Sequence, residues 1–127
     1  MKIINKPYME FNKEEQSRLR YMTLCPGSFM KSNMRDNPEG IDTFVATDKD
    51  GDIDEFLSWA MVVGWLPEWK LFMVYTHPLY RLKGIATLLA KKARKKYKNI
   101  GMVRGFDGEE FVDKLSKKIK LHVVEEL

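Results

Sequence analysis

The sequence is poor in the residues that build disulfides and metal centres. Cys25 is the only cysteine, which excludes an intrachain disulfide and fits a reducing, cytoplasmic setting. His77 and His122 are far apart, with no cysteine or second histidine at ligand spacing, so we expect no metal site. The longest apolar run, residues 59–66, is too short to cross a bilayer. The first residues also lack a long apolar segment, so we expect neither a membrane span nor a signal peptide.

What the sequence does contain is enough apolar material for one globular domain over residues 1–127, with 44% hydrophobic residues. The net charge of +4 is unevenly distributed. The charged residues of 81–98 are all basic. The charged residues of 35–55 are all acidic apart from Arg35 and Lys49. The charge distribution predicts one side that attracts anions and another that attracts cations.

Hydrophobic periodicity and turn residues predict an order of strands and helices along the chain. Asn12 and Glu15 form a capping-box pattern at the start of the first helix. Lys49-Asp50-Gly51 is a hairpin signal between two strands. The predicted strands are residues 2–5, 43–47, 53–65, 70–76, 100–104 and 120–124, and the predicted helices are 12–24, 28–34, one opening at 81–86, and 108–118. This order favours an α/β (α+β) fold, with a mixed central sheet flanked by helices on both faces.

The stretch from residue 73 to residue 97 organises the chain as strand, turn and helix. His77-Pro78 ends the strand, because proline restricts its own backbone and that of its predecessor. A helical face follows, made of Ile85, Leu88, Leu89, Ala93 and Tyr97. Small residues at Gly84 and Ala86 would let an anion approach the helix N-terminus, near the charges of Arg81 and Lys83. The alternative is a glycine that only opens a helix.

The motif Arg81-x-x-Gly84-x-Ala86 resembles the Q/R-x-x-G-x-G/A signature of the GNAT N-acetyltransferases. The resemblance extends back through Thr76-His77-Pro78 and forward to Leu88-Leu89. It implies a GNAT-like sheet, acetyl-CoA as cosubstrate and an amine as acceptor. Family members usually end with two strands after the last helix, and here there is room for one, so we expect a shortened C-terminal end. A small bacterial or phage member would fit, in the host cytoplasm if a phage encodes it.

The resemblance also assigns roles to residues. The strand backbone before the signature would pair with the pantetheine arm, and the backbone amides of the turn would hold the pyrophosphate. The thioester would lie between residues 70–76 and 100–104, where the N–H near Tyr75 would polarise it. Glu68 is a candidate base. The implied cofactor-binding residues are Val74, Tyr75, Thr76, Arg81, Leu82, Lys83, Gly84, Ile85, Ala86 and Thr87.

The chain departs from the family pattern after its fifth strand. Asp107 stands near the place of a family asparagine, and residues 106–118 contain no tyrosine to protonate the leaving thiolate. Two hypotheses therefore remain open. One is an acetyl-CoA-dependent N-acetyltransferase, and the other is a GNAT-fold binding protein without catalysis that binds CoA, a protein or nucleic acid.

Three further patterns have competing interpretations. The acidic stretch, residues 36–55, would favour a cationic acceptor or is simply a solvated loop. Its aspartates resemble a calcium loop, but Ile53 and Trp59 replace the glycine and glutamate that such a loop needs. The basic run, residues 91–98, has three interpretations. A solvated helix face is favoured, contact with cofactor phosphates comes second, and a nucleic-acid patch comes last. Trp59, Trp65 and Trp69 flank the central strands, and we expect all three to pack there; the alternative for Trp65 or Trp69 is to line an acceptor pocket.

Overall fold

The computed structural model describes residues 1–21, 38–49, 56–66, 69–81, 83–98, 100–103, 109–119 and 122–124. Over these residues the chain forms six strands and three α-helices. The strands are β1 (Lys2–Pro7), β2 (Ile41–Thr47), β3 (Ser58–Leu66), β4 (Trp69–Thr76), β5 (Ile100–Val103) and β6 (His122–Val124). The helices are α1 (Lys13–Tyr21), α2 (Ile85–Lys96) and α3 (Glu109–Ile119).

The strands form one sheet in the order β1-β2-β3-β4-β5-β6. The pairs from β1 to β4 are antiparallel, whereas β4–β5 and β5–β6 are parallel. Since helices connect the two parallel pairs, α2 and α3 serve as crossovers. The predicted mixed sheet is confirmed.

Alternate residues of the central strands supply two separate cores, one on each face of the sheet. On one face Phe44 and Ala46 pack under α2 and α3, together with Leu89 and Leu115. On the other face Val45 and its neighbours pack against α1, in a cluster that contains Tyr8, Phe11, Leu19, Trp59 and Met61. This alternation follows from the two-residue period of a strand. Helices on both faces are therefore confirmed, and Trp59 is a core residue.

Local chemistry explains how the helices begin. Asn12 Oδ1 accepts from the Glu15 N–H at 2.8 Å, and Glu15 Oε1 accepts from the Asn12 N–H at 3.0 Å. This is the predicted capping box. The α2 helix begins at Ile85, after a 3-10 turn over Pro78–Tyr80, rather than at the first residue of the predicted 81–86 opening. The predicted apolar face is buried at Ile85, Leu89 and Ala93.

Some predicted boundaries were wrong. β2 begins at Ile41, two residues earlier than predicted, because β1 extends to Pro7 and pairs with its start. β3 begins at Ser58, not at residue 53, and pairs from there with β2 and β4. The predicted helix over residues 28–34 and the turn at Asp50-Gly51 lie outside the described residues.

Candidate active site

Strands β4 and β5 run side by side over only part of their length. Lys70, Leu71 and Phe72 pair with Ile100, Gly101 and Met102, and within the described residues the register ends there. β4 continues to Thr76 in contact with β3 on its other side. Among the described residues, the second half of β4 therefore has a backbone edge that β5 does not pair, and we call the space beside this edge the gap.

Hydrogen bonds determine which peptide groups face that gap. The Ser58 hydroxyl donates to the Tyr75 carbonyl at 2.9 Å, and the His77 N–H donates to the Leu57 carbonyl at 2.9 Å. Tyr75 and His77 thus direct backbone groups toward β3. Because neighbouring residues in a strand face opposite edges, the backbone groups of Val74 and Thr76 face the gap.

The end of β4 leads into a turn that is stabilised by its own polar groups. His77 Nδ1 accepts from the Leu79 N–H at 3.2 Å, and the His77 carbonyl accepts from the Tyr80 N–H at 2.8 Å. Arg81 Nε donates to the Thr76 carbonyl at 3.0 Å, and its guanidinium lies 5.9 Å from the Tyr75 ring centre. Arg81 therefore binds the end of β4, and positive charge is held beside the gap.

Gly84 forms the N-cap of α2 in the left-handed conformation, with φ of 79°. Its carbonyl accepts the first helical bond, from the Leu88 N–H at 3.0 Å. A Cβ at this position would meet no atom within 4 Å, so the space beside the glycine is open. No acid occurs in the first turn of α2. The helix N-terminus therefore offers an anion positive potential and N–H groups that have no partner within the helix.

The structure brings most of the predicted cofactor-binding residues to this one corner. Val74 and Ile85 are buried, so they can contribute only backbone groups, whereas Arg81, Lys83 and Gly84 are exposed. Tyr75 is half-buried and packs against the α1 side of the sheet. Ala86 and Thr87 are half-buried in the first turn of α2. Leu82 and the candidate base Glu68 lie outside the described residues.

Ser58 lies beside this corner, and the sequence did not single it out. Its buried hydroxyl lies 2.9 Å from Thr76 Oγ1 as well as from the Tyr75 carbonyl. Each hydroxyl has one proton to donate. If Ser58 donates to the carbonyl, Thr76 must donate to Ser58. The only signal in the sequence was a serine beside an apolar run.

A second polar cluster lies at the opposite end of α2. Asp42 Oδ2 accepts from Lys96 Nζ at 2.7 Å and from the Tyr97 hydroxyl at 2.6 Å, and Oδ1 accepts from the Asn5 amide at 3.0 Å. Burial raises the pKa of the Asp42 carboxyl, but the bonds from Lys96, Tyr97 and Asn5 outweigh it, and the net shift is downward. Burial, and then the Asp42 carboxylate, raise the pKa of Tyr97.

This cluster changes the interpretation of the acidic stretch. Asp42 belongs to that stretch, yet its charge is buried and neutralised by Lys96. Glu39 is exposed and Asp48 is half-buried, and residues 50–55 lie outside the described part of the chain. The negative field expected from residues 36–55 therefore has one fewer contributor than the sequence suggested.

Comparison with known proteins identifies the class that this fold and site define. The acetyltransferase (GNAT) family matches residues 3–110. The chain therefore belongs to the GNAT family, whose members transfer acetyl groups from acyl-CoA. No curated protein matches the sequence.

A solved structure supports the same fold independently. The chain is similar to the crystal structure of a mutant of the BH1408 protein from Bacillus halodurans. The TM-score is 0.56 at 10% sequence identity, and the match covers 100% of this chain and 96% of that one. At this identity the likeness shows the fold alone.

Within the part of the chain that the structure describes, no helix has the length and apolar character that a bilayer crossing requires. Among the same residues, no group of three or more histidine, cysteine or carboxylate side chains is placed to hold a metal ion.

Proposed function

We propose that the chain is an acetyl-CoA-dependent N-acetyltransferase that acts on an amine. The observation that carries the proposal is the edge of β4 beyond Phe72, which β5 does not pair among the described residues and which precedes the left-handed N-cap of α2 at Gly84. Acyl-CoA joins an extended arm rich in amide groups to a pyrophosphate. A strand edge can pair with the amides of the arm, and a helix N-terminus can bind the pyrophosphate.

The turn would hold the pyrophosphate. The N–H groups of Ile85, Ala86 and Thr87 lie in the first turn of α2, and Lys83 is exposed beside them. Leu82 also belongs to the residues predicted to bind the cofactor. Anion binding there uses backbone donors and the helix dipole, so it depends on the open space at Gly84 more than on any one side chain.

The β4 edge would hold the pantetheine arm and orient the thioester. The backbone alternation favours Val74 and Thr76 for these contacts, since the peptide that joins Tyr75 to Thr76 directs its carbonyl toward β3. In a trans peptide the N–H points the opposite way. We therefore assign the polarising donor, predicted near Tyr75, to the Thr76 N–H.

The reaction is attack of a neutral amine on the thioester carbonyl. The C–N bond forms, the C–S bond breaks, the amine loses a proton and the thiolate gains one. Glu68 stays the predicted base. α3 contains no tyrosine that would return the proton, so water is the donor that we propose for the thiolate.

Calorimetric titration of the full chain with acetyl-CoA and with CoA tests the binding step. At a hundredfold excess over Kd, bound acetyl-CoA raises the free energy of unfolding by about 2.7 kcal/mol. Gly84→Glu should abolish the heat of binding, while Gly40→Glu, at another open exposed glycine, should not. Equal binding by parent and Gly84→Glu would place the cofactor elsewhere.

The second candidate function is a GNAT-fold binding protein without catalysis, which the lack of tyrosine in α3 favours. Thiol release from acetyl-CoA in the presence of small amines and lysine peptides separates the two. Tight binding without amine-dependent release for any acceptor would support the second candidate. Amine-dependent release that Gly84→Glu abolishes would support the enzyme.

A preference for cationic acceptors stays a prediction. Turnover of a polyamine and of a neutral amine should be compared at low and high salt, because added salt shortens the Debye length to about 10 Å at 0.1 M. A preference that shrinks with salt, and with neutralisation of Asp50, Asp52 and Asp54, would support it. Equal turnover at every salt concentration would remove the acidic stretch from acceptor choice.

A further inference from the structure

The outer side of α2 and α3 contains a groove whose described lining is almost wholly cationic. Lys91, Arg94 and Lys95 of α2 face Lys118 and Ile119 of α3 across an open volume of about 340 Å³. Lys91, Lys95 and Lys118 are exposed. The acids of α3 are at position 113 and earlier, more than one turn before Lys118. We call this surface the α2–α3 groove.

A second groove lies on the other side of α2. Its volume is about 290 Å³, and it is lined by Ile3, Asn5, Phe44, Lys92, Lys95 and Lys96. Lys95 belongs to both grooves and forms the ridge between them. Lys96 is already paired with Asp42, so Lys92 and Lys95 supply the charge of this groove that Asp42 does not neutralise.

Three lysines of α2 repel one another unless an anion lies beside them. Lys91 and Lys95 are one turn apart, as are Lys92 and Lys95, and α2 contains no acid. Like charges at that spacing destabilise a helix. The helix dipole explains cations in the last turn, but Lys91 and Lys92 lie before it. A helix face that is only solvated would more often carry alternating positive and negative side chains.

We propose that the two grooves together bind the phosphate backbone of a nucleic-acid duplex, independently of base sequence. The cations spread over two grooves and a ridge, which suits a polymer better than one compact phosphate ligand. Among the described residues, the lining of the α2–α3 groove includes no aromatic side chain on which an unpaired base would stack. Backbone contacts through lysine carry affinity without sequence information.

Tertiary structure supplies what the basic run alone did not. In the sequence, the basic residues of 91–98 belong to the exposed face and last turns of a helix, for which nucleic acid was the last of three interpretations. Lys118 joins that face only because α3 packs beside α2. Lys91 is also about 10 Å along the helix from Gly84, so the face is separate from the turn proposed for acetyl-CoA.

Fluorescence anisotropy of the full chain with a labelled DNA duplex tests the proposal. If Lys91, Lys92, Lys95 and Lys118 each neutralise one phosphate, the logarithmic salt slope is about −3.6. Affinity should then fall about 150-fold between about 50 and 200 mM salt. Failure to bind the duplex at the lower salt would overturn the proposal, as would stronger binding to phosphatidylserine vesicles than to the duplex.

A matched pair of triple variants locates the surface. Lys91→Glu with Lys95→Glu and Lys118→Glu should lose at least tenfold in duplex affinity, and Lys→Gln at the same three positions should reduce the salt slope by about 2.7. The control, Lys2→Glu with Lys13→Glu and Lys49→Glu, changes the net charge equally at exposed positions outside the grooves and should keep the parent slope. Equal losses in both sets would show a general charge effect and refute the assignment. Acetyl-CoA titration and thermal melting of each variant verify that it is folded.

Discussion

Lys96 Nζ lies 2.7 Å from Asp42 Oδ2 and 2.8 Å from Asn5 Oδ1, which joins the last turn of α2 to the two strands at one edge of the sheet. The Asp42 side chain is 11% exposed, whereas that of Lys96 is 45% exposed. The carboxylate therefore depends on its partners more than the ammonium does, since water can still reach the lysine.

This asymmetry predicts different outcomes for two neighbouring lysines. Lys96→Met should lower the free energy of unfolding by about 1–3 kcal/mol, because a buried carboxylate loses a charged donor. Lys95→Met should change it by less than about 0.5 kcal/mol, because Lys95 is exposed. Urea denaturation of the two variants measures the difference. Equal stabilities would show that the ion pair contributes nothing measurable.

The same cluster predicts a dependence of stability on pH. The pKa of Asp42 is lower in the folded chain than its ordinary value of 3.8, so its contribution is present above that value. The contribution is lost as pH falls through the lower folded pKa. Urea titrations from about pH 7 to about pH 2 should therefore show a loss of stability that Asp42→Asn lacks. Parallel pH profiles for parent and variant would contradict this.

Two open glycines form a natural comparison. A Cβ at either Gly84 or Gly40 would meet no atom within 4 Å, but only Gly84 has a positive φ. Gly84→Ala should cost about 1–2 kcal/mol from backbone strain, while Gly40→Ala should be nearly neutral. Thermal unfolding of both variants is the measurement. A neutral Gly84→Ala would mean that the turn relaxes without cost.

Ser58 predicts an effect on substrate orientation. Ser58→Ala removes the hydroxyl that binds the Tyr75 carbonyl, which should cost about 1 kcal/mol of stability. It should also lower kcat for acetyl transfer more than it raises KM for acetyl-CoA, with rescue by Ser58→Thr. Ser116→Ala, whose hydroxyl binds a carbonyl within α3, is the control and should leave both constants unchanged. An unchanged kcat in Ser58→Ala would leave the serine a structural role only.

Local patterns in the sequence were sufficient for several parts of the fold. The capping box at Asn12 and Glu15 is correct because both partners lie within one turn. The strand–turn–helix around Gly84 was predictable for the same reason, since proline and glycine act on their own backbone. The boundaries of β2 and β3 were not, because pairing with β1 and β4 decides where a strand starts.

Contacts between distant residues account for what the sequence did not show. In the sequence, Asp42 is one of many acids in a charged stretch. Only the structure shows that Lys96 and Tyr97 pack beside it. Ser58 meets the Tyr75 carbonyl only because its strand pairs with the end of β4. In both cases the partners are far apart in the chain, so no local pattern identifies them.

The sequence by itself determined the family motif, the alternation that gives the sheet two apolar faces, and the glycine at the start of α2. These depend on the period of a strand or helix and on the backbone freedom of single residues. Only the tertiary structure decided that the β4–β5 pairing of the described residues ends at Phe72, that the Thr76 N–H rather than the Tyr75 N–H points away from β3, and that Lys118 faces Lys91. The physical reason is that strand register and helix packing are set by the burial of whole apolar faces, which no short stretch of sequence encodes.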